Sequence, residues 1–505
     1  MRCMFAASSA ILALSLVAGA ASAQDFGSLV RQDLQAMHDQ IKANHPALVT
    51  PGAGDTHRAW LETGLQDSLT RARQVSSPAA YTYLLNYYAR GFRDSNIAVT
   101  PTFEPQSAFY ASNWPGIATG WRNGEYVVTY VQPGVRNAPA VGAVVKSCNL
   151  QPIAEFAKAK LDQFEGDLTT EAGRIESAPY LLWNRNNSMT SGMPSVCEFT
   201  VGRRSREYTL SPQPATPAHL EAAYRASVFT PPATKLAVET VDGRPWVRVN
   251  TLADDAAWDA FFGQVESQVE SLRGAQGLVI DLRGADGSSI DSTARGYGLA
   301  NRIWTPEFTV SRQPEAGQIT YRATPENRQW FVDTLGRMQA DPRFVQESGP
   351  VIEQTQAIVA AFDAALASGQ QTFVMPGRPS VADTGVANPV KGQVVVLVDS
   401  GCSNGCLDVL DMLTRLPNVR LAGSATDVDS IFIETTKGRL PSNYADFSYG
   451  HKAWTSRTRG NNQGHTPAQG LTYTGNPTDE TAVRAFVAGL FSGRSDQPFL
   501  RLITR

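Results

Sequence analysis

The spacing of apolar residues divides the 505-residue chain into three regions. Between 24 and about 100, apolar residues recur at helical spacing, as at Leu34, Met37 and Ile41, and the region is predicted to be helical. From about 101 to 235, short apolar runs such as 126–131 alternate with glycine and proline, which is typical of β-strands. One helix, over about 153–164, is predicted within this second region.

From about 236 onward, continuous apolar strands alternate with amphipathic helices. The predicted strands cover 246–249, 277–282, 393–398, 419–422 and 430–434, and the predicted helices cover 258–272, 407–416 and 480–491. Strands that are apolar on both faces predict a parallel sheet covered by helices. Because ligands bind at the carboxyl ends of such strands, the loops 283–289 and 399–406 are the predicted positions of a site. The predicted fold is α/β: a βαβ core with a parallel sheet (236–505), preceded by an N-terminal helical domain (24–100) and a small β-rich module (101–235).

The first 23 residues have the composition of a secretory signal. Arg2 precedes an apolar run from Phe5 to Ala18, and small residues follow up to Gln24. The run is shorter than the ~20 residues that a membrane-spanning helix needs. Export with cleavage of residues 1–23 is therefore favoured over a membrane anchor. We expect a secreted or periplasmic protein with no membrane span after cleavage.

Charge and composition narrow the classes of function. The chain carries 44 Lys plus Arg against 47 Asp plus Glu, a formal charge of −3. This balance excludes a dedicated nucleic-acid binder, which needs a basic face over the phosphates. An apolar fraction of 42% and a charged fraction of 18% support a folded core. No phosphate loop or dinucleotide fingerprint stands out, and we expect neither a cofactor nor a metal.

Four cysteines follow the predicted leader: Cys148, Cys197, Cys402 and Cys406. An even number in an exported protein indicates two disulfides. Of the three pairings we favour Cys148–Cys197 and Cys402–Cys406, since positions i and i+4 on a helix can approach disulfide distance. A zinc site and a thiolate nucleophile at Cys402 or Cys406 are the alternatives.

Several segments together resemble one known family. They are an opening strand (246–249), a strand with Asp-Leu-Arg and a Gly-rich turn (277–287), a strand-to-helix elbow (394–408) and a strand end (423–426). In these segments the chain resembles the tail-specific, or C-terminal-processing, serine peptidases. Residues 141–161 are similar to the second half of a PDZ-like module, and 91–97 to a helix-end motif of some members. The resemblance covers most of the mature chain and implies hydrolysis of polypeptides by a serine at the elbow.

The positions that the resemblance makes catalytic carry other residues here. The nucleophile position falls on Asn404, the lysine base on Asp429, the histidine that other members use on Asn96, and its acidic partner on Gln463. An amide cannot replace a hydroxyl as nucleophile. Two interpretations follow: either the elbow is shifted and Ser403 attacks, or the scaffold has lost its chemistry and binds polypeptides or a partner protein.

The shifted-serine interpretation requires a base from elsewhere in the chain. His451, His465, Lys437 and Lys452 follow the elbow and could fold back towards it. Each could equally be a surface residue. Ser403 itself could instead cap the helix that begins near 405.

The frame of an acyl-transfer site also needs donors to an oxyanion. The Gly-rich turn and the helix start supply candidate backbone N–H groups at Gly284, Gly287 and Gly405. An Arg-rich, amide-rich segment late in the chain could roof a peptide groove, or could be a solvated connection. The side chains expected in that groove are Arg283, Arg459 and Asn462, although Arg283 could instead brace the turn that follows it.

Overall fold

The computed structural model describes residues 25–492, except 229–235, 254–255, 290, 315–316, 378–380, 384, 456 and 478. The predicted leader, residues 1–23, lies outside the described residues. The described chain is a mixed α/β structure with several sheets, which confirms the α/β character predicted from the sequence. Among the described residues, no helix is both long enough and apolar enough to cross a membrane.

The N-terminal region consists of three helices and one strand. These are α1 (Phe26–Asn44), α2 (Asp55–Arg71), α3 (Pro78–Gly91) and β1 (Ala98–Pro101), with short 3-10 helices at Pro46–Val49 and Ala72–Gln74. Helix α1 begins where the Asp25 side chain accepts the Ser28 N–H, and α3 begins where Ser77 accepts the Ala80 N–H. The apolar stripe predicted for α1 is buried.

The second region is built on an antiparallel sheet. Its elements are β2 (Ile117–Arg122), β3 (Glu125–Val131), β4 (Val144–Cys148), β5 (Gln151–Pro152), α4 (Ile153–Leu161), α5 (Glu171–Ser177), a 3-10 helix (Ala178–Leu182), β6 (Val196–Val201), β7 (Arg204–Thr209) and α6 (Pro217–Ser227). The strand order is β2-β3-β4-β6-β7, with β5 beside β4. Residues 123–124 close the β2–β3 hairpin as a two-residue turn, and both have positive φ. Cys148 and Cys197 face each other on β4 and β6 and form a disulfide.

The remaining residues form two further sheets and the helices around them. The strands are β8 (Leu236–Val241), β9 (Arg244–Val249), β10 (Gly277–Asp281), β11 (Asp286–Gly287), β12 (Gln318–Arg322), β13 (Thr372–Pro376), β14 (Gln393–Val398), β15 (Ser403–Asn404), β16 (Val419–Gly423), β17 (Phe432–Arg439) and β18 (Ala445–Trp454). The helices are α7 (Ala257–Ser267), α8 (Val269–Gly274), α9 (Ser292–Ile303), α10 (Pro306–Thr309), α11 (Pro325–Ala340), α12 (Pro342–Glu347), α13 (Gly349–Ala367), α14 (Gly405–Leu413) and α15 (Glu480–Ser492), with a 3-10 helix at Val310–Arg312.

The first of these sheets has the order β16-β14-β10-β9-β8, and only the β8–β9 pair is antiparallel. Strand β10 is buried along its whole length, as expected for a strand covered on both faces. The carboxyl ends of β10 and β14 lie side by side, with Asp281 opposite Leu397. The loops 283–289 and 399–406 therefore leave the sheet next to each other.

The second sheet is antiparallel and joins distant parts of the chain. Its order is β1-β18-β12-β13, with β17 beside β18. The sequence predicted a strand at 430–434 within the parallel sheet. This strand is β17, which belongs to the antiparallel sheet instead, so that part of the prediction is wrong. Tyr81 of α3 and Phe447 of β18 share one buried core, so the sheet packs on the N-terminal helices. The predicted helix 258–272 is two helices, with the break at Gln268.

Candidate active site

The strand-to-helix elbow lies at Asn404. This residue has φ 52° and ψ −123°, and helix α14 begins directly after it. A non-glycine residue in this region of backbone space is strained, and a sharp turn of this kind presents its side chain at the top of a sheet. Asn404 is exposed. The residue presented at this elbow is therefore an amide, and Ser403 precedes it.

The Gly-rich turn packs directly on the elbow. Strands β11 and β15 pair in parallel, with Gly287 opposite Asn404. A Cβ on Gly287 would lie 2.5 Å from the backbone nitrogens of Gly405 and Cys406, so only glycine fits there. Gly284, another of the three donors proposed from sequence, gives its N–H to Asp399 Oδ1 at 2.6 Å, so it is engaged away from any oxyanion.

Ser403 is half-buried, and its hydroxyl is hydrogen-bonded to an acid and an amide beside it. Its Oγ donates to Asp286 Oδ1 at 3.4 Å and accepts from Asn404 Nδ2 at 3.3 Å. In the described part of the chain, neither a histidine nor a lysine hydrogen-bonds to Ser403. An activated serine needs such a partner within reach.

The four bases proposed from sequence are engaged elsewhere. His465 Nε2 lies 3.0 Å from Asp411 Oδ1. The two lysines pair with acids on strands β17 and β18: Lys437 pairs with Asp446, and Lys452 pairs with Glu434.

His451, the fourth candidate, is neither a base at the elbow nor a surface residue. It is fully buried, with its ring 4.3 Å from that of Trp330 and 5.0 Å from that of Phe331. This burial lowers the pKa of His451 well below its ordinary value.

The remaining family positions make structural hydrogen bonds. Asn96 Nδ2 donates to the Phe432 carbonyl at 2.8 Å, and Gln463 Oε1 accepts the Gly460 N–H at 2.9 Å. Asp429 donates its backbone N–H to the Gln463 carbonyl at 3.2 Å. The structure thus brings together Asp429, at the predicted lysine position, and Gln463, at the predicted position of the histidine's acidic partner.

Two side chains expected in a peptide groove are buried. Arg283 is fully buried and donates to Asp281 Oδ1 and Oδ2, at 2.7 and 2.6 Å. Arg459 is 5% exposed and bonds to both oxygens of Asp411. Both guanidinium groups are buried and bonded to acids of the chain itself, which disfavours the groove role predicted for these arginines. The third groove candidate, Asn462, donates to Asp167 Oδ2 at 2.8 Å.

A buried acid that the sequence did not single out lies behind the elbow. Asp399 follows β14 and is 1% exposed. Its Oδ1 accepts from the N–H groups of Gly284 and Gly401. Burial raises the pKa of Asp399 to about 7, against these two hydrogen bonds. A carboxylate directly after an apolar strand was the signal that could have pointed to it.

A second buried cluster supports Asn96. The backbone N–H of Asn96 donates to Asp94 Oδ1, and Asp94 Oδ2 lies 2.9 Å from His57 Nε2 and 3.4 Å from His45 Nε2. Burial lowers the pKa of His45 to about 4. Although burial alone would raise the pKa of Asp94, hydrogen bonds from both rings hold it well below its usual range.

The three side chains of this cluster, His45, His57 and Asp94, place potential metal-ligand atoms within 4.8 Å of one another, but the two rings are poorly oriented for one ion. The two imidazoles stack, with centroids 4.8 Å apart and planes 24° apart. A metal ion lies in the plane of each imidazole that ligates it, which two stacked rings do not allow for one ion. His45 Nδ1 also accepts the Ala47 N–H, so its proton lies on Nε2, facing Asp94.

The second disulfide encloses the elbow. Cys402 and Cys406 are fully buried and bonded to each other across Ser403, Asn404 and Gly405. Both predicted disulfides are thus formed, which removes the thiolate alternative at these cysteines.

Comparisons with known proteins place the fold. No family model matches the chain, and no curated protein matches it. Among solved structures, mature CPAF matches with a TM-score of 0.56 at 13% identity, over 93% of this chain and 99% of that one. Mature CPAF complexed with lactacystin matches with a TM-score of 0.56 at 14% identity, over 95% and 99%.

The chain has the fold of mature CPAF. At this identity the likeness concerns the fold alone. The photosystem II D1 C-terminal processing protease also matches, at 14% identity over 94% of this chain and 98% of that one, with a TM-score of 0.32. The likeness of fold rests on the two mature CPAF structures.

Proposed function

We propose that this chain is an exported protein on a tail-specific peptidase scaffold that binds polypeptides and does not hydrolyse them. The observation that carries the proposal is the backbone of Asn404, which keeps the strained elbow conformation while its side chain is an amide. A carboxamide lacks the ionisable hydroxyl that acyl transfer needs. Export follows from the leader sequence and accords with the two disulfides.

The other catalytic positions support the same conclusion. A histidine base requires free ring nitrogens near the nucleophile, but Asn96 at that position is bonded to a main-chain carbonyl. Its acidic partner position carries Gln463, which bonds a main-chain N–H. Replacement of all three positions by amides removes the nucleophile, the base and the group that orients the base.

One observation favours the alternative, a peptidase that uses Ser403. The Ser403 hydroxyl donates to Asp286, a carboxylate on the adjacent turn. A carboxylate can serve as a general base. However, Ser403 is half-buried and lies before the elbow rather than on it.

The decisive experiment is labelling of the mature protein with a fluorophosphonate serine probe. Wild type is expected to remain unlabelled, because no activated hydroxyl is present. A variant carrying Asn96→His, Asn404→Ser and Gln463→Glu rebuilds the three positions and is expected to label. Labelling of wild type that disappears in Ser403→Ala would overturn the proposal and establish the shifted serine.

A groove in the β-rich module supplies the proposed peptide site. Its volume is about 620 Å³, and it lies between the sheet and helix α4. Apolar side chains line it, among them Trp121, Tyr126, Val145, Ile153 and Leu168. Lys158 borders it and makes no ion pair within the described ranges. An apolar groove with an unpaired cation suits a peptide that ends in a carboxylate.

Filling this groove is expected to abolish peptide binding. Ala154 lines the groove on α4 and is exposed, whereas Ala159 is exposed on the same helix outside it. Ala154→Trp should weaken binding of a random peptide library by about tenfold or more, since a bulky ring removes the apolar contact area. Fluorescence anisotropy with free-acid and amidated libraries measures this.

The matched control is Ala159→Trp, which should bind as wild type does. Lys158→Gln should weaken the free-acid library by about fivefold and leave the amidated one unchanged. Equal peptide binding by Ala154→Trp and Ala159→Trp would show that the peptide site lies elsewhere.

A further inference from the structure

The sequence contains two Asn–Gly dipeptides, one at the elbow (404–405) and one in the β2–β3 hairpin (123–124). Both asparagines are exposed. Their backbones differ, although their φ angles are nearly equal. Asn123 has φ 51° in a two-residue hairpin turn, whereas Asn404 has φ 52° with ψ −123° at the start of a helix. The chain therefore holds a matched pair of sites with the same chemistry and different geometry.

The ψ angle of Asn404 brings the next backbone nitrogen beside its own side chain. At a tetrahedral Cα, the Cβ of an L residue is rotated by about −120° from the backbone nitrogen. At ψ −123° the Gly405 nitrogen nearly eclipses the Asn404 Cβ. Closure of a five-membered ring between this nitrogen and Asn404 Cγ requires that alignment, so the elbow holds the two atoms near the geometry of attack.

The hairpin asparagine lacks this alignment. A two-residue hairpin turn with positive φ at both positions is of type I′, in which ψ of the first central residue is about +30°. The Gly124 nitrogen is then rotated far from the Asn123 Cβ. Ring closure at Asn123 requires the turn to open first.

We propose that Asn404 is a self-modification site, which converts through a succinimide to aspartate and isoaspartate. The Gly405 backbone nitrogen loses its proton and forms a bond to Asn404 Cγ. The Cγ–Nδ2 bond breaks, and the side-chain nitrogen takes up one proton, equivalent to the one that Gly405 lost, and leaves as ammonia. Water then adds to either carbonyl of the ring and opens it. No atom changes oxidation state, and water is the only co-reactant.

Hydrogen bonds to neighbouring residues hold the Asn404 side chain in place at the elbow. Asn404 Nδ2 donates to Ser403 Oγ, which in turn donates to Asp286. These bonds orient the carboxamide of Asn404 at the elbow, and Ser403 is the positioning residue in them. The Asn404 side chain makes no capping bond that would hold it away from the ring.

The product is also favoured by its position. An aspartate at 404 would stand at the N-terminus of the nine-residue helix α14. The partial positive charge there stabilises a carboxylate. The disulfide between Cys402 and Cys406 encloses the segment and keeps the elbow closed around it.

The test compares the two dipeptides within one molecule. The purified mature chain is incubated at mildly alkaline pH, digested, and the aspartate and isoaspartate formed at 404 and 123 are quantified by mass spectrometry. A second sample is reduced and incubated in urea. In the folded chain the rate at 404 relative to 123 should exceed the unfolded ratio by about tenfold or more. A folded ratio at or below the unfolded ratio overturns the proposal.

Three variants separate the causes. Asn404→Gln keeps the amide and should show no conversion at 404, because closure to a six-membered ring is slow. Ser403→Ala should slow conversion at 404 in the folded chain only; an unchanged rate would exclude the hydrogen-bonded chain. Replacing Cys402 and Cys406 together with serine should move the folded ratio towards the unfolded one, and an unchanged ratio would show that the disulfide does not hold the elbow.

Discussion

Replacing Asp281 with alanine is expected to lower the free energy of unfolding by about 3–5 kcal/mol, because it leaves two buried guanidinium groups without their shared partner. Asp281 ends strand β10 and is fully buried. Its Oδ2 lies 2.6 Å from Arg283 and 2.8 Å from Arg248, and both arginines are also buried. Glu480 of α15 pairs with both arginines but is one-third exposed, so it cannot replace the buried acid.

Urea unfolding measures this loss. Asp281→Asn keeps the shape and removes the charge, and should fall between alanine and wild type. The control is Asp363→Ala, which removes an exposed ion pair with Arg328 and should leave the unfolding free energy close to that of wild type. A loss below about 1 kcal/mol for Asp281→Ala would show that Glu480 alone neutralises the arginines.

Local patterns predicted much of the fold, because helices and buried strands are specified by nearby residues. The periodic stripe of α1 and the apolar runs of β10 and β14 lie where the sequence placed them. The antiparallel sheet that contains β1, β12, β13, β17 and β18 was not predicted. Its strand β1 pairs with β18, with Ala98 opposite Ser448, and no local pattern carries the register of strands so far apart in the chain.

The candidate site, like the fold, was predicted only where local sequence patterns specify it. The elbow and the glycine turn have local signatures, and the structure brings them together at Gly287 and Asn404. No local signature in the sequence identifies the partners of charged and titratable residues. The sequence placed Arg459 in a peptide groove, but in the structure its guanidinium is bonded to two acids of α14. His451 lies in a polar stretch, but aromatic rings from α11 cover it. Such partners depend on tertiary packing.

Removing the charge of Asp399 is expected to stabilise the protein at neutral and higher pH. Burial raises the pKa of Asp399 from 3.8 to about 7 in the folded state. Between these two values the folded state binds more protons than the unfolded chain, so the unfolding free energy falls as pH rises through this window. A shift of this size corresponds to about 4 kcal/mol at most.

Asp399→Asn removes that dependence. The asparagine oxygen can keep the bonds from Gly284 and Gly401. Its amide nitrogen replaces Oδ2, which has no hydrogen-bond partner among the residues described. The variant should match or fall below wild type near pH 4 and exceed it by a few kcal/mol near pH 8.

The measurement is the difference in urea unfolding free energy between variant and wild type across that pH range. Other groups, such as His45 with its pKa lowered to about 4, contribute equally to both proteins and cancel in the difference. Asp363→Asn is the control, since Arg328 lowers the pKa of that exposed acid; its difference should not rise with pH. A flat difference for Asp399→Asn, or a variant less stable than wild type near pH 8, would show that the folded protein holds Asp399 ionised without penalty.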